Sequence, residues 1–133
     1  MAELQLSVDV PTTPQKLWEA YMDTLQQAAI TGAPASVEAK IGGNITLYSG
    51  AVTGVFVALR KPDLIVQTWR THDFEDQEPD ARTEIRLAPS ARGCRFIVTQ
   101  DNIPQRLRKQ FINGWTTAYF KDLQTWAVRS ESP

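Results

Sequence analysis

From Pro104 to Arg129 the chain carries one long amphipathic helix pattern, and its apolar stripe is unusually aromatic. Leu107, Phe111, Trp115, Tyr119, Leu123 and Trp126 recur at steps of four or three, so a helix places them on one face. A helix that buries this many rings needs a broad, concave partner. The upstream sequence offers only a sheet for that purpose. A curved sheet gripping one long C-terminal helix encloses a cavity or a groove rather than a polar catalytic cleft.

The upstream sequence supplies that sheet. Leu4, Leu6, Val8 and Val10 alternate with Glu3, Gln5, Ser7 and Asp9, the period of a half-buried strand. Pro11 ends it. Thr13 can cap a helix that opens at Pro14 and shows Leu17, Trp18, Tyr21 and Met22 on one face. A second short helix, Thr24 to Ile30, follows a bend near Asp23 and is closed by Gly32 and Pro34. Strands are then expected at Ser36 to Lys40, Asn44 to Tyr48, Val52 to Leu59 and Leu64 to Arg70, with turns at Gly42-Gly43, Gly50 and Lys61-Pro62-Asp63. Val52 to Leu59, nearly continuous in apolar character, reads as a central strand. His72 to Asp80 is polar and acidic and reads as an exposed loop. Thr83 to Leu87 and Cys94 to Thr99 alternate again, joined by a turn at Ser90 to Gly93. Pro104 opens the long helix, and Ser130 to Pro133 is expected to fray. Short turns between consecutive strands make the sheet antiparallel, and segregated strand and helix runs argue for α+β.

Composition excludes several functions. At 133 residues the chain reads as a single domain, 1–133. Its 14 basic and 15 acidic residues balance to a net charge of -1, so nucleic acid is not an expected partner. One cysteine, Cys94, excludes an internal disulfide, and with one histidine, His72, no metal site is expected. Nothing implies a cofactor. The N-terminus lacks a basic region ahead of an apolar run, so no signal peptide is expected, and no apolar run reaches the length of a membrane span. The reading is a cytoplasmic protein.

A set of short motifs narrows the kinship. Ala33-Pro34-Ala35, Glu38-Ala39, Gly42-Gly43, then Gly50, Val52, Gly54 and Phe56, then Ile65-Val66 and Trp69-Arg70 occur in order. Ile103-Pro104, Gly114-Trp115 and Tyr119-Phe120 complete the series. In this order and spacing, from about Val8 to Trp126, the chain resembles the C-terminal domain of the activator of heat-shock protein 90 ATPase, within the START-like (SRPBCC) helix-grip superfamily. The resemblance implies an α+β helix-grip fold. Its curved antiparallel sheet of about six to seven strands wraps a long C-terminal helix, about 104–129, and two short helices follow the first strand. It also implies a non-enzymatic regulator or co-chaperone-like domain, active in the stress response, with a heat-shock protein 90 family chaperone as partner. In the eukaryotic co-chaperone this domain follows a larger N-terminal domain that carries most of the ATPase stimulation. Many superfamily members instead carry or sense a small hydrophobic molecule between sheet and helix.

The residues themselves give two candidate surfaces. The aromatic stripe is first a core seam. In the sharper reading Trp18, Tyr21, Phe56, Trp69, Phe111, Trp115 and Tyr119 line a ligand cavity, with Tyr21, Tyr48 and Gln67 as polar anchors. Gly114 sits where glycine disfavours a helix, which suggests close approach of the helix to its neighbours, or else room for a ligand. The second surface is charged. Arg106, Arg108 and Lys109 oppose the helix dipole and suit an acidic partner, while Asp73, Glu75 and Asp76 suit a basic one. No catalytic group is expected. The lone histidine lacks a nucleophile elbow, no carboxylates pair, and Cys94 reads as a small core residue.

Overall fold

The computed structural model describes residues 1–131, with side chains placed through Ser130. Strand β1 (Ala2–Val10) leads into helices α1 (Pro14–Tyr21) and α2 (Thr24–Thr31). Strands β2 (Ser36–Val37), β3 (Asn44–Leu47), β4 (Val52–Arg60), β5 (Leu64–Thr71), β6 (Ala81–Ser90) and β7 (Gly93–Ile103) follow. The C-terminal helix then runs without a break over residues 105–131. All seven strands pair antiparallel in the order β1-β7-β6-β5-β4-β3-β2. This is the expected helix-grip architecture.

Local chemistry places the early elements. Thr13 caps α1 by accepting from the Lys16 amide at 3.1 Å, with Pro14 in the first turn. Asp23 caps α2 by accepting from the Gln26 amide at 2.9 Å, and Gly32 ends it in the left-handed conformation. The inner face of the sheet then follows the period of two. Ile65, Gln67 and Trp69 on β5, Thr83, Ile85 and Leu87 on β6, and Cys94, Phe96, Val98 and Gln100 on β7 are all buried. Burial pushes the Cys94 thiol up to about 11, so it packs as a small neutral core group.

The free edge of β1 is covered by the C-terminal helix. Arg108 Nε donates to the Glu3 carbonyl at 2.9 Å, and Gln124 Nε2 donates to the Asp9 carbonyl at 3.1 Å. Two backbone acceptors on an edge strand are thereby satisfied from outside the sheet.

Several expected boundaries shift. β2 stops at Val37 because the Glu38 carboxylate accepts from both the backbone and the side-chain amide of Asn44, each at 3.0 Å, and turns the chain. β4 is not the central strand; β5 is. β4 turns Val55 and Val57 outward, where they are 37% and 53% exposed. Pro104 lies just before the helix, in extended conformation, and a short 3₁₀ turn, Gln105–Leu107, begins it. Of the tail expected to fray, Ser130 and Glu131 continue the helix; Ser132 and Pro133 lie outside the described residues.

The C-terminal helix also changes its winding. Gly114–Tyr119 is a π-helical segment, in which the Phe120 amide reaches the Trp115 carbonyl, five residues back. Thr116 and Thr117 donate their hydroxyls to the carbonyls of Ile112 and Asn113, acceptors on the turn that widens. The wider turn has a geometric effect. Residues spaced four apart drift around a regular α-helix, and a stretch with more residues per turn reduces that drift. Leu107, Phe111, Trp115, Tyr119 and Leu123 therefore all stay buried against the sheet, while Trp126 is only half-buried.

Two glycines contrast. A Cβ on Gly54 would sit 2.1 Å from the Thr68 carbonyl oxygen of the neighbouring strand, an impossible contact. A Cβ on Gly114 meets nothing within 4 Å, which overturns the expectation that this glycine permits close helix packing. Gly54→Ala is therefore expected to destabilise the fold by about 1–3 kcal/mol through overpacking. Gly114→Ala is expected to be neutral or stabilising by up to about 1 kcal/mol, from helix propensity. Urea denaturation of both variants checks the pair, and equal losses would contradict this account.

Candidate functional site

The space opposite Gly114 is a cavity of about 340 Å³. The C-terminal helix lines it with Gln110, Phe111, Gly114, Trp115, Ala118 and Tyr119. The ends of β4 and β5 contribute Val52, Trp69 and Thr71, and the turn before β4 contributes Tyr48 and Ala51. His72 and Asp73, both exposed, stand at the mouth. The walls are mostly rings. Trp69 and Trp115 lie with centroids 4.9 Å apart, and Tyr119 meets Trp115 edge-on at 5.6 Å.

The polar ends of those rings are already bound to the protein. Three fully buried glutamines accept from three aromatic donors. Trp115 Nε1 donates to Gln100 Oε1 at 2.7 Å, and Gln100 in turn donates to Thr83 Oγ1 at 2.8 Å. Tyr119 Oη donates to Gln27 Oε1 at 2.9 Å, and Gln27 donates to the Tyr21 carbonyl at 3.0 Å. Tyr21 Oη donates to Gln67 Oε1 at 2.6 Å. Burial drives the Tyr21 and Tyr119 phenols well above their ordinary range, so both remain donors. The cavity therefore meets Trp115 and Tyr119 as hydrocarbon faces.

Tyr48 is held differently. It and Ser49 adopt left-handed backbone conformations with φ of 52° and 59°, followed by Gly50 at 89°. Two consecutive non-glycine residues in this region are strained. The Tyr48 hydroxyl donates to Asp122 on the helix at 2.9 Å, which pins the strained turn across the cavity wall. Burial first, and the Asp122 carboxylate second, keep this phenol protonated.

Of the expected cavity residues, Trp69, Phe111, Trp115 and Tyr119 are brought together at the cavity. Trp18, Tyr21 and Phe56 are buried in the core and do not line it. Tyr21 and Gln67, expected as ligand anchors, are each other's partners. Tyr48 does line the cavity. His72 is exposed as expected, yet it sits at the mouth. Val52, Thr71, Gln110 and Ala118 were not singled out, because nothing in their spacing distinguishes a cavity wall from a packed seam.

The charged surface is also corrected. The basic helix start and the acidic loop meet each other. Arg106 makes a bidentate pair with Glu78 and donates to the Asp73 carbonyl at 2.8 Å. The acidic neighbour that suits Arg106 is thus intramolecular. Arg108 is engaged with β1. Asp73 accepts from Gln110, and Glu75 accepts from Gln77 at 2.7 Å. Only Lys109 and Asp76 remain as simple exposed charges. Arg70 ties the same loop from beneath, through the carbonyls of Glu75 and Glu78 and the Asp80 carboxylate. Phe74 tucks under the loop against Phe111, with centroids 6.0 Å apart. Among the described residues no group of three or more metal-ligating side chains is placed to hold an ion, and no helix is long and apolar enough to cross a membrane.

Comparison with known proteins gives a consistent picture. Residues 11–127 match the family model described as Activator of Hsp90 ATPase homolog 1-like protein. The human Activator of 90 kDa heat shock protein ATPase homolog 1 is 26% identical over 121 residues, which covers 85% of this chain and 33% of that protein. The mouse protein of the same name matches to the same extent. This chain thus spans about a third of the length of the curated relatives it matches. Among solved structures, an Hsp90 activator from Plasmodium falciparum has a TM-score of 0.81 at 22% identity, covering 92% of this chain and 94% of that one. The Aha1 dimer from Colwellia psychrerythraea has a TM-score of 0.79 at 11% identity, covering 99% and 100%. At these identities the likeness of structures is one of fold.

Pairing with Arg106 holds the Glu78 carboxyl down at about 2. A carboxyl depressed in the folded state stabilises its contacts above its unfolded pKa and loses that contribution as pH falls through the folded value. The tie between loop and helix is thus expected to persist through mild acid and to release only near pH 2. Arg106→Ala should return the Glu78 titration towards the ordinary carboxylate range, read by NMR of the side-chain carboxyl. An unchanged midpoint would show that Arg106 is not the cause.

Proposed function

We propose that this chain, which belongs to the family of activator of Hsp90 ATPase homolog 1-like proteins, is a non-enzymatic binding domain that takes a small apolar molecule into the cavity beneath its π-helical segment. The observation that carries the reading is the open space facing Gly114, about 340 Å³ walled by Phe111, Trp115, Tyr119 and Trp69. This is the size and character of a small-molecule site. With the indole of Trp115 and the phenol of Tyr119 tied to glutamines, a ligand that fills the space is met by ring faces and recognised by its apolar body. Polar contacts are confined to the mouth, at Thr71, His72, Asp73 and Gln110.

A second reading is favoured by a separate observation, the 26% identity to a curated activator of the 90 kDa heat shock protein ATPase. In that reading the domain acts as a co-chaperone-like regulator and docks on a chaperone of the Hsp90 type. The two readings are compatible, since the cavity and the outer surface are different parts of the domain.

Native mass spectrometry of the purified protein, alone and mixed with an Hsp90 homologue, separates them. The first reading expects a bound small molecule, lost in Gly114→Leu, whose side chain fills the cavity while the fold is kept. Failure of wild type to bind any apolar probe, with 4-phenylbutanol as the test compound, would overturn it. The second expects a complex with the chaperone that weakens as salt rises, and no complex would count against it.

A further inference from the structure

We infer that the ligand of this cavity is a hydrophobic organic cation, an amine or quaternary ammonium on an apolar body, and not an anion of the fatty-acid kind. The inference rests on the ligand-binding reading above and adds the sign of the ligand's head group.

The cavity lining contains one carboxylate, Asp73, and no lysine or arginine. Asp73 is bound by a neutral donor, the amide of Gln110, so its charge is not neutralised there. A carboxylate with one such donor retains acceptor capacity. The nearby guanidinium groups that an anion would need are turned elsewhere. Arg106 is paired with both oxygens of Glu78 and with the Asp73 carbonyl. Arg70 is bound to Asp80 at 3.0 Å and to two loop carbonyls, and stacks over Phe74 at 5.3 Å. The loop that forms the mouth carries Asp73, Glu75, Asp76, Glu78 and Asp80, more negative charge than these two arginines offset.

The walls reinforce the same sign. Tyr48, Trp69, Phe111, Trp115 and Tyr119 surround the space with rings, and ring faces attract cations and repel anions. The phenols of Tyr48 and Tyr119 stay protonated, so neither adds a competing charge. His72 is the remaining ionisable group at the mouth, exposed to solvent. An anionic head group at this mouth would face Asp73 and the ring faces with no partner. A cationic one meets both.

The test uses three probes with one body: 4-phenylbutylamine, 4-phenylbutanol and 4-phenylbutyrate. Isothermal titration calorimetry measures each against wild type, Asp73→Asn and Gly114→Leu at neutral pH. The amine is expected to bind wild type about five- to tenfold tighter than the alcohol, from one partly exposed ion pair and ring-face attraction. The butyrate is expected to bind more weakly than the alcohol. Asp73→Asn should remove most of the amine's advantage and leave alcohol affinity and thermal unfolding unchanged. Gly114→Leu should abolish all binding. Alcohol binding with no preference for the amine, or a preference that survives Asp73→Asn, overturns the cationic ligand and leaves the cavity reading standing. No binding by any probe overturns both.

Discussion

Two buried hydrogen bonds hold the C-terminal helix in its cradle, and most of the structure depends on them. Trp115 is bonded to Gln100 on β7, and Tyr119, one turn later, to Gln27 on α2. One bond faces the sheet and the other faces the helical pair, so together they fix the rotation of the helix about its own axis. Each also removes a cost, because a buried indole or phenol without a partner destabilises by about 1–3 kcal/mol. With its rotation set, the helix presents Gly114 to a gap it does not fill. The cavity is thus a consequence of where the helix is anchored.

The charged contacts act at the periphery of that arrangement. Arg106 sits in the first turn, where a cation opposes the helix dipole, and Glu78 offsets that conflict from the neighbouring loop. Arg70 reaches the same loop from β5. The two guanidiniums hold a strongly acidic segment across the mouth of the cavity, and Phe74 anchors its underside. The loop is therefore shaped by basic residues yet leaves its unpaired negative charge towards solvent and the cavity entrance.

The fold was legible because it is written in short-range periodicity. Alternation marked β1, β6 and β7, and the aromatic steps marked the long helix together with its buried face. The buried glutamine pairs were not legible. Their members lie 15, 46 and 92 residues apart, and a lone glutamine on a strand or helix reads as surface. Arg106 and Glu78, 28 residues apart, were each visible as charges but not as a pair. Gly114 pointed correctly to an unusual place in the helix, but sequence does not distinguish a glycine pressed against a neighbour from one that faces open space. Four of seven expected cavity residues line the cavity because the rest of the aromatic set is consumed by the core beneath it.

The π-helical segment sets a limit on chain length. Its wider turn accommodates residues 114–119 with the register of both flanking halves preserved. If one residue were deleted there and the segment rewound as ordinary α-helix, each side would keep its hydrogen bonds. The halves would, however, be rotated relative to each other by about 100°, the angle per residue of an α-helix. Leu123 and Ala127, now fully buried, would swing towards solvent while Phe111 stayed in place. Surface loops of this chain can change length at little cost. Over these six positions the helix has a counted length, and a homologue that keeps both buried halves must keep the count.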